Sequence, residues 1–231
     1  KDEQIAWVNR TLENLRLDEK VGQLFCPIGM STDEKALFDL AANKKVGGLL
    51  FRPGKGEEVQ QAHRYLQQQA KVPILIAANL EAGGTGSAID GTRIGNPMLL
   101  AAGQDAEFGH HLGEVCAKEG SAVGVNWAFA PVVDIDYNFH NPITNVRTYG
   151  SDPETVLNYA KGFVEAVQQN GVAASIKHFP GDGIDFRDQH LVTTVNTLPL
   201  EEWRSTYGKV YSGLIEAGSL SVMIGHIALP A

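Results

Sequence analysis

Short apolar segments alternate with helical segments along the whole chain, and this alternation constrains the fold more than any other feature. The six strand-like segments are 21–27, 46–51, 72–78, 127–136, 172–176 and 220–226. Helical periodicity fills the intervals, at 3–15, 32–40, 57–70, 106–123, 153–170 and 200–217. Strand–helix repeats of roughly 35 residues predict parallel strands joined by right-handed crossovers.

A doubly wound sheet and a closed TIM-type (β/α)8 barrel both satisfy this alternation. Polar residues follow the third to sixth strands, which favours the barrel because barrel enzymes build their sites from the loops at that end. No Gly-x-Gly-x-x-Gly follows the first strand, which argues against a dinucleotide fold. Six βα units are present where a barrel needs eight. Either a C-terminal part is missing from this sequence, or that part is a separate chain, or the fold is open. We favour the first and expect residues 1–231 to form a single catalytic barrel domain whose C-terminal part is missing.

The charge and hydropathy of the chain exclude several kinds of partner. The net charge is −8, with no basic run, which argues against nucleic acid or an anionic membrane as the partner. No apolar run approaches 18 residues, so we expect no membrane insertion. Cys26 and Cys116 lack metal-ligand spacing and are expected to be two lone buried thiols. The compartment and the oligomeric state stay open.

The strand at 172–176 leads into Lys177-His178-Phe179-Pro180-Gly181-Asp182-Gly183, followed by Asp188-Gln189-His190. The carboxyl end of a parallel strand is where ligands bind in α/β folds. A carboxylate two residues from an imidazole can bond one ring nitrogen and leave the other for proton transfer. An isolated Asp-x-His is more often a pair of solvated loop residues, but the preceding run favours a site.

This pattern resembles the family 3 glycoside hydrolases, specifically the β-N-acetylhexosaminidase branch, which uses an Asp–His pair on a mobile loop. The resemblance implies that His190 is the general acid/base and that Asp188 orients it. Lys177 and His178 then bind the hydroxyls of the sugar in the cleaved subsite. Asp182 departs from the family, since many relatives carry a histidine there.

Segment 126–150 resembles the same family and includes Arg147, which matches an arginine that contacts the sugar. A guanidinium offers a rigid fork of donors suited to such contacts. The alternative is a structural ion pair of Arg147 with Asp134 or Asp136. Asp134 itself is expected to be architectural, holding the loop or the arginine.

Asn79 and Glu81 fall where relatives show Asp-x-Glu-Gly-Gly, so an amide replaces the first acid. An amide can both donate and accept hydrogen bonds, so we keep Asn79 and Glu81 as sugar ligands and note that a different sugar preference could result. His226, after the sixth strand, either lines the pocket or lies in the core or behind the site.

We predict no metal and no cofactor. Asp134, Asp136 and His140 suggest a metal site only weakly, because nothing else supplies ligands at fixed spacing. The tryptophans at positions 7, 127 and 203 are expected in the core rather than as sugar platforms.

The resemblance implies a retaining glycoside hydrolase that removes terminal β-linked N-acetylglucosamine from glycans or cell-wall fragments, with a small carbohydrate as its partner. The family's nucleophile is an aspartate after the seventh strand, in a Thr/Ser-Asp-x-Met context that is not found in this sequence. Asp182, Asp185 and Glu81 are not assigned to that role. Two alternatives remain: a β-N-acetylglucosaminide phosphorylase, since an imidazole would not repel phosphate, and a non-catalytic amino-sugar-binding protein.

Overall fold

The computed structural model describes residues 2–230, and six parallel strands form its main sheet. The strands of the chain are β1 (Ile28–Gly29), β2 (Gly48–Phe51), β3 (Leu75–Ala78), β4 (Trp127–Ala128), β5 (Ala173–Phe179), β6 (Thr194–Val195), β7 (Ser221–Ile224) and β8 (Ile227–Ala228). The main sheet has the order β1-β2-β3-β4-β5-β7, and β6 pairs with β8 in a separate parallel ladder. A doubly wound sheet would reverse its strand order at a switch point. The sequential order is that of a barrel wall, and the predicted TIM-type fold class is confirmed.

Helices connect the strands at the predicted intervals. They are α1 (Asp2–Glu13), α2 (Leu17–Gly22), α3 (Glu34–Phe38), α4 (Gly56–Gln69), α5 (Pro97–Ala102), α6 (Glu107–Ala122), α7 (Pro153–Gln169), α8 (Leu200–Trp203) and α9 (Lys209–Glu216). A π-helical turn extends α3 through Asn43, and another joins α8 to α9. The predicted cap of α7 is confirmed, because the Asp152 side chain accepts a hydrogen bond from the Thr155 backbone at 2.8 Å.

The core lies between the sheet and its helices. Leu49, Ile76 and Ile176 project from three strands and are fully buried. The helices α6 and α7 pack closely because Gly109 and Gly113 face the α7 backbone: a Cβ at Gly109 would lie 2.2 Å from the carbonyl oxygen of Tyr159. This close pair fixes the wall behind β4 and β5.

Apolar side chains remain exposed at both edges of the main sheet. Ile28 on β1 and Ile224 on β7 are exposed, and so are Ile5, Val8 and Leu12, which form the apolar face of α1. The helix predicted at 3–15 is confirmed, but within residues 2–230 its apolar face stays largely uncovered. No helix in this range is both long and apolar enough to cross a membrane.

Several predictions about the first 30 residues are wrong. The strand predicted at 21–27 is instead the end of α2 and a turn, and the strand begins at Ile28. Cys26 is exposed rather than buried, whereas Cys116 is buried as predicted. Trp7 is exposed rather than in the core, and Trp127 and Trp203 are partly buried.

Candidate active site

Four of the predicted site residues meet at the carboxyl ends of β3 and β5. Lys177 ends the apolar part of β5, and its Nζ donates to Oε1 of Glu81 at 2.6 Å. Arg147, on a 3-10 turn at Asn145–Arg147, donates from Nε and Nη2 to the two carboxylate oxygens of Glu81, at 2.8 and 2.9 Å. Oδ1 of Asn79 lies 3.5 Å from Nζ of Lys177. One carboxylate therefore holds both cations, and we call Asn79, Glu81, Arg147 and Lys177 the clamp.

Arg147 pairs with Glu81 and not with Asp134 or Asp136, so the alternative ion pair proposed from the sequence is wrong. Two nitrogens of the guanidinium, Nε and Nη2, form a bidentate pair with Glu81. The third, Nη1, donates to the carbonyl oxygen of Ile143 at 3.0 Å. The guanidinium is thus fixed in orientation before any ligand binds.

Charges in the clamp shift the pKa of the groups that form it. Burial alone would raise the pKa of Glu81, but the hydrogen bond from Arg147 and the charges of Lys177 and Arg147 outweigh burial and lower it from 4.5 to about 2. Burial lowers the pKa of Lys177, and the carboxylate of Glu81 opposes that shift. Because Lys177 is 2% exposed, the Glu81 carboxylate is what keeps an ammonium tolerable in this position.

A cavity of about 410 Å³ opens over the clamp. It is lined by Asn79, Glu81, Ala82, Thr85, Gly86, Arg93, Asn96 and Arg147. The sequence analysis does not predict Thr85, Arg93 and Asn96, because they lie beyond the motif at 79–84 in a segment without a further recognisable pattern. The volume and the polar lining suit a single sugar ring and its substituents.

His178 follows Lys177 and points to a different partner. Its Nδ1 lies 2.6 Å from Oδ2 of the fully buried Asp134, and its backbone N–H donates to Oδ1 of the same carboxylate. Oδ1 of Asp134 also accepts from the backbone N–H of Asp182 at 2.8 Å. Asp134 is therefore architectural, as predicted: it fixes the ring of His178 and the first turn of the following loop.

The Asp188–His190 pair lies on the loop after β5. Nδ1 of His190 is 2.7 Å from Oδ1 of Asp188, which also accepts from the backbone N–H of His190. These two contacts, backbone first, lower the pKa of the Asp188 carboxyl. The His190 side chain is 63% exposed, and Nδ1 is the ring nitrogen that contacts Asp188. This geometry leaves Nε2 as the nitrogen that faces away from the carboxylate.

Within residues 2–230 the Asp188–His190 pair makes no hydrogen bond or ion pair with the clamp. The pair is connected to the strand ends through Gln189, which bonds Asp182 at 2.6 Å and the backbone N–H of His226 at 3.0 Å. His226 follows β7 and is exposed, so the alternative that it lies in the core is wrong. The predicted residues thus lie at the carboxyl end of the sheet, with the clamp and the Asp188–His190 pair as two separate groups.

No set of three or more His, Cys, Asp or Glu side chains in the described range is placed to hold a metal ion. Asp134, which the sequence offered as a possible ligand, is saturated by backbone and imidazole donors. Burial raises the pKa of Asp136, which makes no hydrogen bond through Oδ1. The weak metal hypothesis therefore gains no support from the positions of these side chains.

Comparison with known proteins shows which sequences this chain resembles. Residues 16–231 match the sequence profile described as glycosyl hydrolase family 3 N terminal domain. A β-N-acetylglucosaminidase/β-glucosidase of Cellulomonas fimi is 47% identical over 230 residues, which cover 100% of this chain and 41% of that protein. A β-hexosaminidase of Hydrogenovibrio crunogenus is 32% identical over 185 residues, 75% of this chain and 50% of that protein.

Two solved structures have the same architecture. A β-glucoside phosphorylase, BglX, bound to 2FGlc superposes with a TM-score of 0.96 and 48% identity, over 100% of this chain and 42% of that one. A family 3 β-N-acetylglucosaminidase from Paenibacillus sp. str. FPU-7 gives a TM-score of 0.86 and 30% identity, over 94% and 43%. The chain spans less than half the length of both structures and of the Cellulomonas fimi protein.

Proposed function

Because this chain belongs to glycosyl hydrolase family 3, as its N-terminal domain, we propose that the protein removes terminal β-linked N-acetylglucosamine from glycans or cell-wall fragments. The carbohydrate is bound by the clamp, and His190 is the general acid/base of a retaining reaction. Relatives named β-hexosaminidase and β-N-acetylglucosaminidase/β-glucosidase support the substrate class. Because the second of these names joins two sugars, β-glucosides are included among the substrates we propose to test.

The observation that carries this proposal is the bonded Asp188–His190 pair. An acid/base group must give a proton to the leaving oxygen and later take one from the incoming acceptor. Asp188 fixes the ring through Nδ1, and the exposure of His190 leaves the imidazole accessible to both partners. An imidazole donates a proton in its charged form and accepts one in its neutral form, so one side chain can serve in both directions.

The clamp supplies the binding side of the proposal. Lys177 and Arg147 place cationic donors on either side of Glu81, and Asn79 adds an amide that can donate or accept. His178 and His226 border the same end of the sheet and are assigned to sugar binding with them. We assign the nucleophile to no residue of this chain.

The decisive measurement is kcat/KM of His190→Ala in the complete gene product, with two kinds of substrate. An alkyl N-acetylglucosaminide has a poor leaving group that needs a proton, and we expect a loss of about 10²–10⁴-fold. An activated aryl glycoside needs little protonation and should lose much less. His111→Ala is the matched control, because His111 is also an exposed histidine near a carboxylate, 3.9 Å from Glu107. Equal losses on both substrates would refute the acid role.

A second reaction, phosphorolysis, is favoured by two specific observations. The β-glucoside phosphorylase structures are 48% identical to this chain over its whole length. An imidazole base does not repel an incoming phosphate as a carboxylate would, and Asn79 removes one further negative charge relative to the family's acid. The product distinguishes the two reactions: phosphorolysis releases sugar 1-phosphate in phosphate buffer, whereas hydrolysis releases free sugar in a phosphate-free buffer. A sugar-binding protein without activity would give neither product.

A further inference from the structure

Gln189 is the buried member of an otherwise exposed loop. It lies between Asp188 and His190 and is 4% exposed, whereas the nearby Phe186 and Leu191 are largely open to solvent. The other hydrogen bonds of residues 186–193 reach partners within four residues in sequence. The side chain of Gln189 therefore forms the hydrogen bonds that join residues 186–193 to more distant parts of the fold.

Both ends of the Gln189 amide are used. Nε2 donates to Oδ2 of Asp182 at 2.6 Å, and Oε1 accepts from the backbone N–H of His226 at 3.0 Å. Asp182 is also buried, and its Oδ1 accepts from Nδ2 of Asn141 and the backbone N–H of Gly183, both at 2.7 Å. The donor end of the amide must face the carboxylate, so its orientation is fixed.

The fold accommodates this side chain at the end of β7. A Cβ at Gly225 would lie 2.6 Å from Oε1 of Gln189, so glycine leaves the room that the amide needs. The carbonyl oxygen of His226 accepts from the backbone N–H of Thr194 at 3.1 Å, where β6 begins. Both backbone polar groups of His226 are thus bonded to the segment that carries the Asp188–His190 pair.

We propose that Gln189 is a positioning residue for His190, and that its amide, held between the Asp182 carboxylate and the His226 backbone, sets the place of the imidazole over the ends of β5 and β7. The inference rests on the proposed function, because it takes His190 as the acid/base. Hydrogen bonds to a buried carboxylate are strong and directional. Releasing this one frees the loop between its attachments at Asp185, which bonds Asn141, and at Thr194, which bonds His226.

The test reverses the polarity of the bond. Gln189→Glu keeps the shape but sets two carboxylates against each other, so the loop should detach. In the double variant Gln189→Glu/Asp182→Asn, the new amide at position 182 donates to the new carboxylate at position 189. The amide oxygen at position 182 still accepts from Asn141 and Gly183, and the second carboxylate oxygen at position 189 still accepts from His226. The bond is restored with donor and acceptor exchanged.

Activity is measured on the complete gene product with the alkyl and activated aryl glycosides. We expect Gln189→Glu to lose about tenfold or more in kcat on the alkyl glycoside and only a few-fold on the aryl glycoside, and the double variant to recover most of the loss. Gln61→Glu is the control, because Gln61 also donates to a carboxylate, Glu57, but on the exposed face of α4. Gln189→Met removes the amide without adding charge and should show the same preferential loss of kcat on the alkyl glycoside. It takes the place of Gln189→Glu if that variant fails to fold.

The outcomes separate the two proposals. If His190→Ala shows no dependence on the leaving group, the proposed function fails, and the role of Gln189 fails with it. If His190→Ala shows that dependence but the Gln189 variants lose activity equally on both substrates, or the double variant does not recover, the positioning role alone is overturned.

Discussion

Replacing Glu81 by glutamine should destabilise the protein by an amount that depends on pH. Glutamine has nearly the shape of a protonated glutamic acid, so the substitution removes the charge and little else. The pKa of Glu81 falls from its ordinary 4.5 to about 2 in the folded chain, because Arg147 and Lys177 outweigh the effect of burial. At 1.36 kcal/mol per pH unit, that change corresponds to about 3 kcal/mol of stability from the ionised form.

The sign of the pH dependence follows from the direction of the change. A carboxyl whose folded pKa is lowered contributes its full stability above the unfolded value, near 4.5, and loses it as the pH falls toward about 2. The difference between the wild type and Glu81→Gln should therefore be about 3 kcal/mol at pH 7 and roughly half that at pH 3. Both proteins lose stability in acid, but the gap between them narrows.

Urea unfolding of matched chains, followed by tryptophan fluorescence at several pH values, measures this gap. Glu201→Gln is the control: Glu201 also forms an ion pair, with Arg204 at 2.8 Å, but both side chains are largely exposed. We expect little change and no pH dependence for the control, because exposed pairs are screened by solvent. If the difference in unfolding free energy between wild type and Glu81→Gln stays constant from pH 3 to pH 7, the pH dependence argued from the pKa of Glu81 is refuted. If the difference at pH 7 is under about 1 kcal/mol, the predicted magnitude is refuted.

Two further predictions concern a glycine and the two thiols. Gly181 and Gly150 have the same φ of +123°, but a Cβ at Gly181 would lie 2.2 Å from the ring of Tyr207, whereas Gly150 has no heavy atom within 4 Å. In thermal unfolding, Gly181→Ala should therefore cost clearly more than the about 1–2 kcal/mol of backbone strain expected for Gly150→Ala, and equal losses would contradict the steric argument. Iodoacetamide should alkylate the exposed Cys26 in the native protein and spare Cys116, because the Cys116 thiol is buried and its pKa is raised to about 12. The intact mass should therefore show one adduct in native buffer and two adducts in denaturant.

The sequence predicts strands well in three of the continuous apolar segments. The segments at 46–51, 172–176 and 220–226 each contain a strand within a few residues of the predicted limits. The first segment fails because Val21, Leu24 and Phe25 are apolar but exposed, and the tight contact of Gly47 with the Gln23 backbone holds them in a turn. Apolar composition alone does not distinguish these two cases.

The fourth strand shows a second limit. The segment at 127–136 is apolar throughout, yet the regular ladder covers only Trp127–Ala128. Pro131 has no N–H to donate, so beyond Ala128 the pairing continues only as separate backbone hydrogen bonds, such as that from Ser175 to the carbonyl oxygen of Ala130, and as an isolated bridge between Val132 and Lys177. That bridge brings the segment leading to Asp134 beside the carboxyl end of β5, a consequence that hydrophobic patterning does not reveal.

The sequence predicts which end of the sheet the candidate residues share, but not which side chains they contact. Lys177 and Glu81 each follow an apolar run, so each could be assigned to the same end of the sheet. They are 96 residues apart in sequence. Glu81 follows β3 and Lys177 lies on β5, with β4 between these strands, so their contact depends on the register of two ladders. The same reason explains why the alternative considered for Arg147, an ion pair with Asp134 or Asp136, is wrong: these acids are nearer in sequence, but Arg147 bonds Glu81.

The three carboxylate pairs of the site differ in exposure, and this difference bears on their proposed roles. Glu81 and Asp134 are buried with their partners, Lys177 and His178, and a buried pair holds its geometry because separating it leaves a charge without compensation. His190 is largely exposed and Asp188 is partly exposed, and an ion pair in contact with solvent contributes little stability. Binding a sugar requires fixed donors, whereas an acid/base must meet two successive oxygens. If His190 acts in this way, burying its ring, for example by replacing the neighbouring Leu191 with a larger aromatic residue, should slow the proton-dependent substrate more than the activated one.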